Sequence, residues 1–179
     1  DNCLVKLPDT LGTLTNLEHL NLSFNRLERL PDALGMLQDL NALLLAHNRL
    51  QKLPKSVGKL CEVQVLHASH NRLSDLPDNL TQMRRLRELY LADNAFKQVP
   101  DVFTRLVRLR AADLSGNPLS RLPAAGLDRM VALRELQLNR CASLTSLPDE
   151  LASLPQLRQL HAEYSAVAHL PDLSTVANT

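Results

Sequence analysis

One segment of this sequence returns at a fixed interval, and no other feature restricts the fold so strongly. The segment at 17–31 reads LEHLNLSFNRLERLP. Copies with the same apolar spacing occupy 40–54, 63–77, 86–100 and 109–123, and looser copies occupy 133–148 and 157–171. The closing prolines stand 23 residues apart, except for one step of 25 residues between Pro123 and Pro148. A chain with this period stacks its repeats, each burying its leucines against two neighbours.

The residues inside each repeat predict a short helix followed by a strand. A proline, most often followed by aspartate, opens the helix at its first position, where the missing N–H of proline would have no partner anyway. Apolar residues then recur at helical spacing, as at Leu34 and Leu37. The following segment alternates as a strand does, so one residue per repeat points inward. These inward residues are Leu20, Leu43, Leu66, Leu89, Ala112, Leu136 and Leu160.

Strands that repeat in one direction must pair in parallel, with the helical segment as the crossover. We therefore expect an α/β solenoid of about seven repeats. A curved parallel β-sheet should form its concave face, and short helices should form its convex face.

An asparagine follows most of the strands at one position of the repeat. The sharp turn there leaves backbone N–H and C=O groups without a partner in the sheet. A carboxamide both donates and accepts, so one asparagine per repeat can satisfy its own turn and that of its neighbour. The predicted structural ladder consists of Asn25, Asn48, Asn71, Asn94 and Asn117, with Cys141 in the sixth repeat.

The shared pattern, LxxLxLxxNxLxxLP, resembles the leucine-rich repeat family in its 23-residue intracellular class. The resemblance runs over nearly the whole chain and implies a single leucine-rich repeat domain at 1–179. Residues 1–8 align with the end of a repeat, so we expect a partial N-terminal repeat there, and the phase is lost in a C-terminal tail at 172–179. Neither end carries the polar capping repeat that a solenoid needs. We therefore expect the chain to be a fragment of a longer protein.

Composition and motifs exclude several classes of function. The net charge is +1 and aromatic residues make up 3% of the chain, which disfavours nucleic acid as a partner. No apolar run reaches the ~18 residues of a membrane helix, so no membrane insertion is expected. Phosphate-binding glycine loops and His-Glu-x-x-His motifs are missing, so we predict no enzyme activity and no cofactor. Cys3, Cys61 and Cys141 are odd in number and far apart, which favours reduced thiols and a cytoplasmic location.

Alternation along the strands also predicts which side chains face solvent on the concave side. In repeats two to four these side chains are partly apolar, and grouped apolar side chains on a sheet face indicate a binding site. Histidines and acids border this patch, and a row of arginines beside it would suit an acidic rim on a partner. The predicted protein-binding residues are Leu44, His47, Val65, His67, His70, Tyr90, Asp93, Asp113, Arg26, Arg49 and Arg72.

Arginines also gather on the opposite rim of the later repeats. Members of this second row are Arg87, Arg110, Arg134 and Arg158, reinforced by Arg85 and Arg108. Such a row is either a solvated charged face or a site for acidic segments of a protein partner. The sequence leaves both interpretations open.

A metal site is the alternative interpretation of the histidines. His47 and His70 lie one repeat apart, roughly 5 Å by strand spacing, with His67 and Asp93 nearby. Neutral imidazoles placed in this way could ligate zinc, which takes three or four N, S or O donors. Solvated polar residues on a recognition surface are the simpler interpretation, and we predict no metal site.

The expected function is therefore protein–protein interaction or scaffolding, with a protein partner on the concave face and a role in intracellular signalling. The resemblance implies relatives that bind small GTPases or phosphatases, or that organise signalling complexes. The alternative is the substrate-recognition repeat domain of a bacterial effector, whose catalytic domain, such as a ubiquitin ligase, lies outside this chain. Residues 141–157, CASLTSLPDELASLPQL, resemble variants common in bacterial and plant members. We expect a monomer unless the uncapped ends associate.

Overall fold

A computed structural model of the chain describes residues 2–168. Within this range lies one sheet of seven strands, which follow one another in sequence order and pair only in parallel. The strands are β1 His19–Asn21, β2 Ala42–Leu44, β3 Val65–His67, β4 Glu88–Tyr90, β5 Ala111–Asp113, β6 Glu135–Gln137 and β7 Gln159–His161. The predicted parallel solenoid is confirmed. The tail expected at 172–179 lies outside the described residues.

The register of the strands carries the core from repeat to repeat. Leu43 pairs with Leu20 on one side and with Leu66 on the other, and the middle residue of every strand continues this line. Leu43 and Leu66 are fully buried, whereas Leu20 and Leu160 in the outermost strands are only partly buried. Each repeat covers its neighbour, so the inner repeats have the deepest core.

The convex segments are 3-10 helices rather than α-helices. In residues 2–168 they span Asp9–Thr13, Asp32–Met36, Lys55–Lys59, Asp78–Gln82, Phe103–Arg105, Leu127–Arg129 and Asp149–Ser153. Three to five residues suffice for each crossover, and 3-10 geometry is common in such short connectors. None of these helices has the length and hydropathy that crossing a bilayer demands.

Five of the prolines lie one residue earlier than the sequence predicts, at the N-cap: Pro8, Pro31, Pro54, Pro77 and Pro148. The helices after Pro100 and Pro123 begin later, with Val102 and Gly126 as their N-caps. Pro31 is the N-cap of its helix, with φ −70° and ψ 149°, and its carbonyl accepts the Leu34 N–H at 3.0 Å. An N-cap residue keeps an extended backbone while its carbonyl already accepts the first helical hydrogen bond. Proline tolerates this position because its fixed φ suits an extended backbone equally well.

Each ladder asparagine bonds the backbone of two repeats. The Asn48 side-chain oxygen accepts the Leu27 N–H at 2.9 Å, and its amide donates to the carbonyls of Leu22 at 2.9 Å and Leu45 at 3.0 Å. These bonds satisfy groups that the sheet leaves without partners. The same arrangement recurs at Asn71, Asn94 and Asn117. Asn25 accepts the Leu4 N–H at 3.0 Å at the N-terminal end of the ladder.

The sixth repeat is held more loosely. Cys141 occupies the ladder position, and its Sγ donates one long hydrogen bond, 3.5 Å, to the Leu114 carbonyl. Burial raises the pKa of the Cys141 thiol, so it stays protonated and can act as this donor. One of the two extra residues of this repeat lies before its helix, where the chain turns at Gly126, whose φ of 88° is in the left-handed region.

Candidate protein-binding surface

The exposed side of the sheet, called the strand face below, consists of the strand residues that alternate with the core and the turn residues that follow each strand. Leu44, Val65, His67 and Tyr90 all lie on this face in β2, β3 and β4. Each of them is partly buried rather than fully exposed. Neighbouring side chains therefore cover much of the predicted apolar patch.

His67 and Tyr90 form the centre of this surface. Their strands pair in register, and their rings lie 5.3 Å apart with planes tilted by 60°. The Tyr90 hydroxyl donates a 3.0 Å hydrogen bond to the Glu88 carboxylate, and burial together with this bond raises the pKa of Tyr90 to about 12. Burial also lowers the pKa of His67. Both rings are therefore neutral and held in place near pH 7.

The residue three positions beyond the last residue of each strand adopts a left-handed backbone. The turn column comprises Phe24, His47, His70, Asp93, Gly116, Arg140 and Tyr164, with φ between 52° and 67°. Residues other than glycine reach this region at some energetic cost. The turn geometry imposes that cost in six of the seven repeats, and a side chain then stands at the same edge of the strand face in each of them.

The first three members of the turn column stack on one another. The Phe24 and His47 rings lie 4.3 Å apart, the His47 and His70 rings lie 4.0 Å apart, and both pairs are tilted by only 12°. Phe24 is 52% exposed. Burial, and to a smaller extent the neighbouring His70, lowers the pKa of His47. The neutral ring is therefore favoured in the middle of the stack.

Beyond the stack, the turn column continues with the charged side chains of Asp93 and Arg140. His70 Nε2 lies 3.4 Å from Asp93 Oδ2, and the Arg140 guanidinium lies 3.1 Å from the same oxygen. Arg140 is two repeats away from Asp93, and Gly116 occupies the repeat between them. A Cβ on Gly116 would lie 2.1 Å from Asp93 Oδ1, so only glycine leaves room for the carboxylate to reach Arg140. Asp93 thus links the histidines to the later repeats.

Asp113 has a local structural partner. Its Oδ1 accepts the Ser115 N–H at 2.9 Å, which holds the turn after β5. Asn21 makes the equivalent bond to the Ser23 N–H at 3.0 Å. Asp113 remains partly exposed beside Tyr90, its register partner, so its second oxygen can still face a ligand.

The arginines beside the ladder form an exposed, regular row. The backbone N–H of Arg49 donates to the Leu27 carbonyl and that of Arg72 to the Leu50 carbonyl, both at 2.8 Å. Arg26 occupies the equivalent position in the first repeat, and all three side chains are exposed. Among residues 2–168, no carboxylate forms an ion pair with any of them. Their guanidinium groups are available to an acidic partner.

The histidines do not converge on a metal centre. In the described part of the chain, no group of three or more histidine, cysteine or acidic side chains is placed to hold an ion. Stacking explains this arrangement, because parallel rings such as His47 and His70 direct their nitrogens past each other rather than toward a common point.

Phe24 and Arg140 are absent from the predicted site but complete the turn column. Phe24 is a 52% exposed member of the stack, and Arg140 pairs with Asp93 across an intervening repeat. Their repeat phase equals that of His47 and His70, which is the sequence signal that identifies both residues.

Comparison with known proteins gives a consistent result for the fold. A family model described as a leucine-rich repeat region matches residues 6–94. No curated protein matches the sequence significantly.

Several solved structures are similar to the chain along nearly its full length. A leucine-rich repeat protein of Leptospira interrogans is 23% identical with a TM-score of 0.61, over 99% of this chain and 57% of its own. The functional domain of InlJ from Listeria monocytogenes is 20% identical with a TM-score of 0.74, over 97% and 40%. An internalin of the same species is 17% identical with a TM-score of 0.71, over 98% and 56%. The chain thus spans roughly half the length of these proteins, and at such identity the likeness establishes the fold alone.

Proposed function

Because the chain is a leucine-rich repeat protein, we propose that it is a non-catalytic protein-interaction module whose partner binds across the strand face of repeats one to four. The partner would contact the turn column from Phe24 to Asp93 and the strand residues around Tyr90. Arg26, Arg49 and Arg72 would hold acidic groups at one margin of the partner.

The aromatic stack carries this proposal. Phe24, His47 and His70 are aligned in three successive left-handed turns, and Phe24 keeps 52% of its surface exposed. A stable core does not need an exposed phenylalanine in a backbone conformation that disfavours it. Exposed aromatic side chains held in fixed positions on a surface are typical of the residues that dominate interface affinity. The strand face supplies such side chains next to the His67–Tyr90 pair.

The polar groups around the stack define the chemistry of the partner. Neutral His67 and the paired Tyr90–Glu88 offer hydrogen bonds at the centre of the face. The exposed arginines provide charge at its margin. Interfaces with an aromatic centre and a charged rim gain affinity from the first and association rate from the second.

Affinity capture with matched variants tests the proposal. The wild-type protein, Phe24→Ala, Tyr90→Ala and Met36→Ala are immobilised in parallel, and the retained proteins are identified by mass spectrometry. Met36 is the control because it is 54% exposed on a convex helix, which lies on the opposite side of the repeat from the strand face. A protein retained by wild type and Met36→Ala but lost with the other two variants is then titrated directly. Each lost aromatic side chain is expected to weaken its binding by about 2 kcal/mol or more.

Two outcomes would contradict the proposed surface. Captured proteins could depend on Met36 instead of on the aromatic residues, which would place the interface on the convex side. Alternatively, Phe24→Ala and Tyr90→Ala could bind the captured protein with wild-type affinity. Thermal unfolding of each variant excludes a trivial loss of fold.

We further propose that the module works in the cytoplasm as part of a signalling or scaffolding protein. Three free thiols, at Cys3, Cys61 and Cys141, support this location. Cys3 and Cys61 are exposed to solvent and would be oxidised outside the cell. Imaging of the tagged full-length protein tests the location. A secreted product would refute it.

A bacterial effector origin is the second candidate. It rests on the sixth repeat, where Cys141 begins CASLTSLP and the buried thiol replaces the ladder asparagine. In that case the strand face would bind a substrate for a catalytic domain outside this chain. The sequence of the full-length gene distinguishes the two candidates.

A further inference from the structure

A second site lies on the rim opposite the ladder, where five arginines surround one shallow depression. The depression opens between the fourth and fifth repeats, before β4 and β5. Gln64 and Ala132 line its ends, and its walls are formed by Arg84, Arg85, Arg87, Arg108 and Arg110. No carboxylate is found among the described residues that line it. We call these five arginines the basic rim.

Little within the protein neutralises the basic rim. Arg85 pairs with Glu62 at 2.6 Å, and Arg108 Nη1 donates to the Arg84 carbonyl at 3.2 Å. Among residues 2–168, no acidic side chain forms an ion pair with Arg87 or Arg110. The whole chain has a net charge of only +1, so the positive charge is concentrated here rather than spread evenly.

Two acids that directly follow arginines on this side of the repeats are held on the strand face. Glu88 follows Arg87 but accepts the Tyr90 hydroxyl at 3.0 Å. Glu135 accepts the Gln137 amide at 2.6 Å in the same way. Both carboxylates are therefore held by neighbours in their own strands and leave the rim arginines to meet an external anion.

The backbone places Arg87 and Arg110 of the basic rim in a regular row with Arg134 and Arg158. Arg110 N–H donates to the Arg87 carbonyl at 2.7 Å, and Arg134 N–H and Arg158 N–H continue the series at 2.8 Å each. Parallel strands bring successive members about 4.8 Å apart, so the four arginines span about 15 Å. Like charges at such spacing repel one another, and folding gains nothing from them.

We propose that the basic rim, together with Arg134 and Arg158 that continue its row, forms a binding site for an acidic peptide segment of a protein. Guanidinium groups bind carboxylates through paired N–H donors, and a row of them suits carboxylates spaced along an extended chain. An extended peptide of about five residues covers the length of the row. None of the residues within 2–168 that line the depression is aromatic, so they offer no stacking surface of the kind that single-stranded nucleic acid uses.

The basic rim is separate from the proposed strand-face interface. Its arginines precede β4 and β5, whereas the aromatic stack follows β1, β2 and β3. An acidic segment could bind the rim whether or not a partner occupies the strand face. The two proposals therefore succeed or fail independently.

The test uses a synthetic peptide of alternating glutamate and serine, roughly eight residues long, added to isotope-labelled protein and followed by backbone NMR shifts. The peptide is matched by one with glutamine in place of glutamate. We expect the glutamate peptide to shift the amides around Arg87 and Arg110. The double variant Arg87→Gln/Arg110→Gln should bind it about tenfold more weakly or worse.

Two controls distinguish a specific binding site from general electrostatic attraction. Arg26→Gln/Arg49→Gln removes the same charge from the other rim, and Phe24→Ala alters only the strand face. Both should change peptide affinity by less than about twofold. Higher salt should weaken the binding of the glutamate peptide to wild type.

Three results would overturn the proposal. Equal losses in the two double variants would mean that net charge alone attracts the peptide. Equal binding of the glutamate and glutamine peptides would remove the carboxylate requirement. A short DNA duplex that binds more tightly than the peptide at the same salt would assign the rim to nucleic acid.

Discussion

Removing one buried ladder asparagine should destabilise the protein in proportion to the backbone groups that it leaves unpaired. Asn117 is the most buried member, at 1% exposure. Its oxygen accepts the Phe96 N–H at 3.2 Å, and its amide donates to the Leu91 and Leu114 carbonyls at 2.9 Å each. The change Asn117→Ala removes these three bonds and the longer one, at 3.3 Å, from the amide to the Ser115 carbonyl.

These bonds do not contribute equally, and the Ser115 carbonyl keeps the Asp93 N–H at 2.7 Å. The Leu91 carbonyl keeps the amide of Asn94 at 3.0 Å, and the Leu114 carbonyl keeps the Cys141 thiol at 3.5 Å. The Phe96 N–H has no second acceptor in the described structure and is buried. One orphaned buried donor costs about 1–3 kcal/mol, so we expect Asn117→Ala to lower the free energy of unfolding by about 2 kcal/mol.

The same substitution in the first repeat is the matched control. Asn25 accepts the N–H of Leu4, a residue that is 43% exposed, so water can replace the lost carboxamide. Asn25→Ala should cost less than about 1 kcal/mol. Urea unfolding followed by circular dichroism measures both values, with the slope m checked for constancy. Equal losses, or a loss below about 0.5 kcal/mol for Asn117→Ala, would refute the argument from unpaired groups.

Three further predictions test stability, thiol chemistry and pH dependence. Leu66→Ala should cost about 2–5 kcal/mol in urea unfolding, while Leu4→Ala at the exposed end costs far less; equal costs would contradict nearest-neighbour stacking. Exposed Cys61 should react with a thiol reagent in the folded protein, whereas Cys141, buried and with a raised pKa, should react only on unfolding. Burial lowers the pKa of His67 below 6.5 in the folded state, so stability is complete above pH 6.5 and falls on acidification below it. His67→Gln should reduce that fall, and an unchanged pH profile would show that His67 is not responsible.

The periodic sequence contains most of the fold. Apolar residues at one phase predicted the buried line through Leu43 and Leu66, and the parallel register follows from equal repeat lengths. Helix type and proline placement could not be obtained in the same way. A short segment with apolar residues three apart fits either helix, and the crossover length selected the 3-10 form with Pro31 at the N-cap.

The same distinction between sequence and tertiary structure applies to the candidate site. The sequence by itself determined which residues share a column, because the repeat phase sets the direction of every side chain. Only the tertiary structure decided how those columns interact. The left-handed turns bring Phe24 and His47 into a stack, and the missing side chain at Gly116 lets Asp93 reach Arg140 two repeats away. Such contacts depend on turn dihedrals, side-chain rotamers and the space left by neighbouring repeats, none of which a linear pattern specifies.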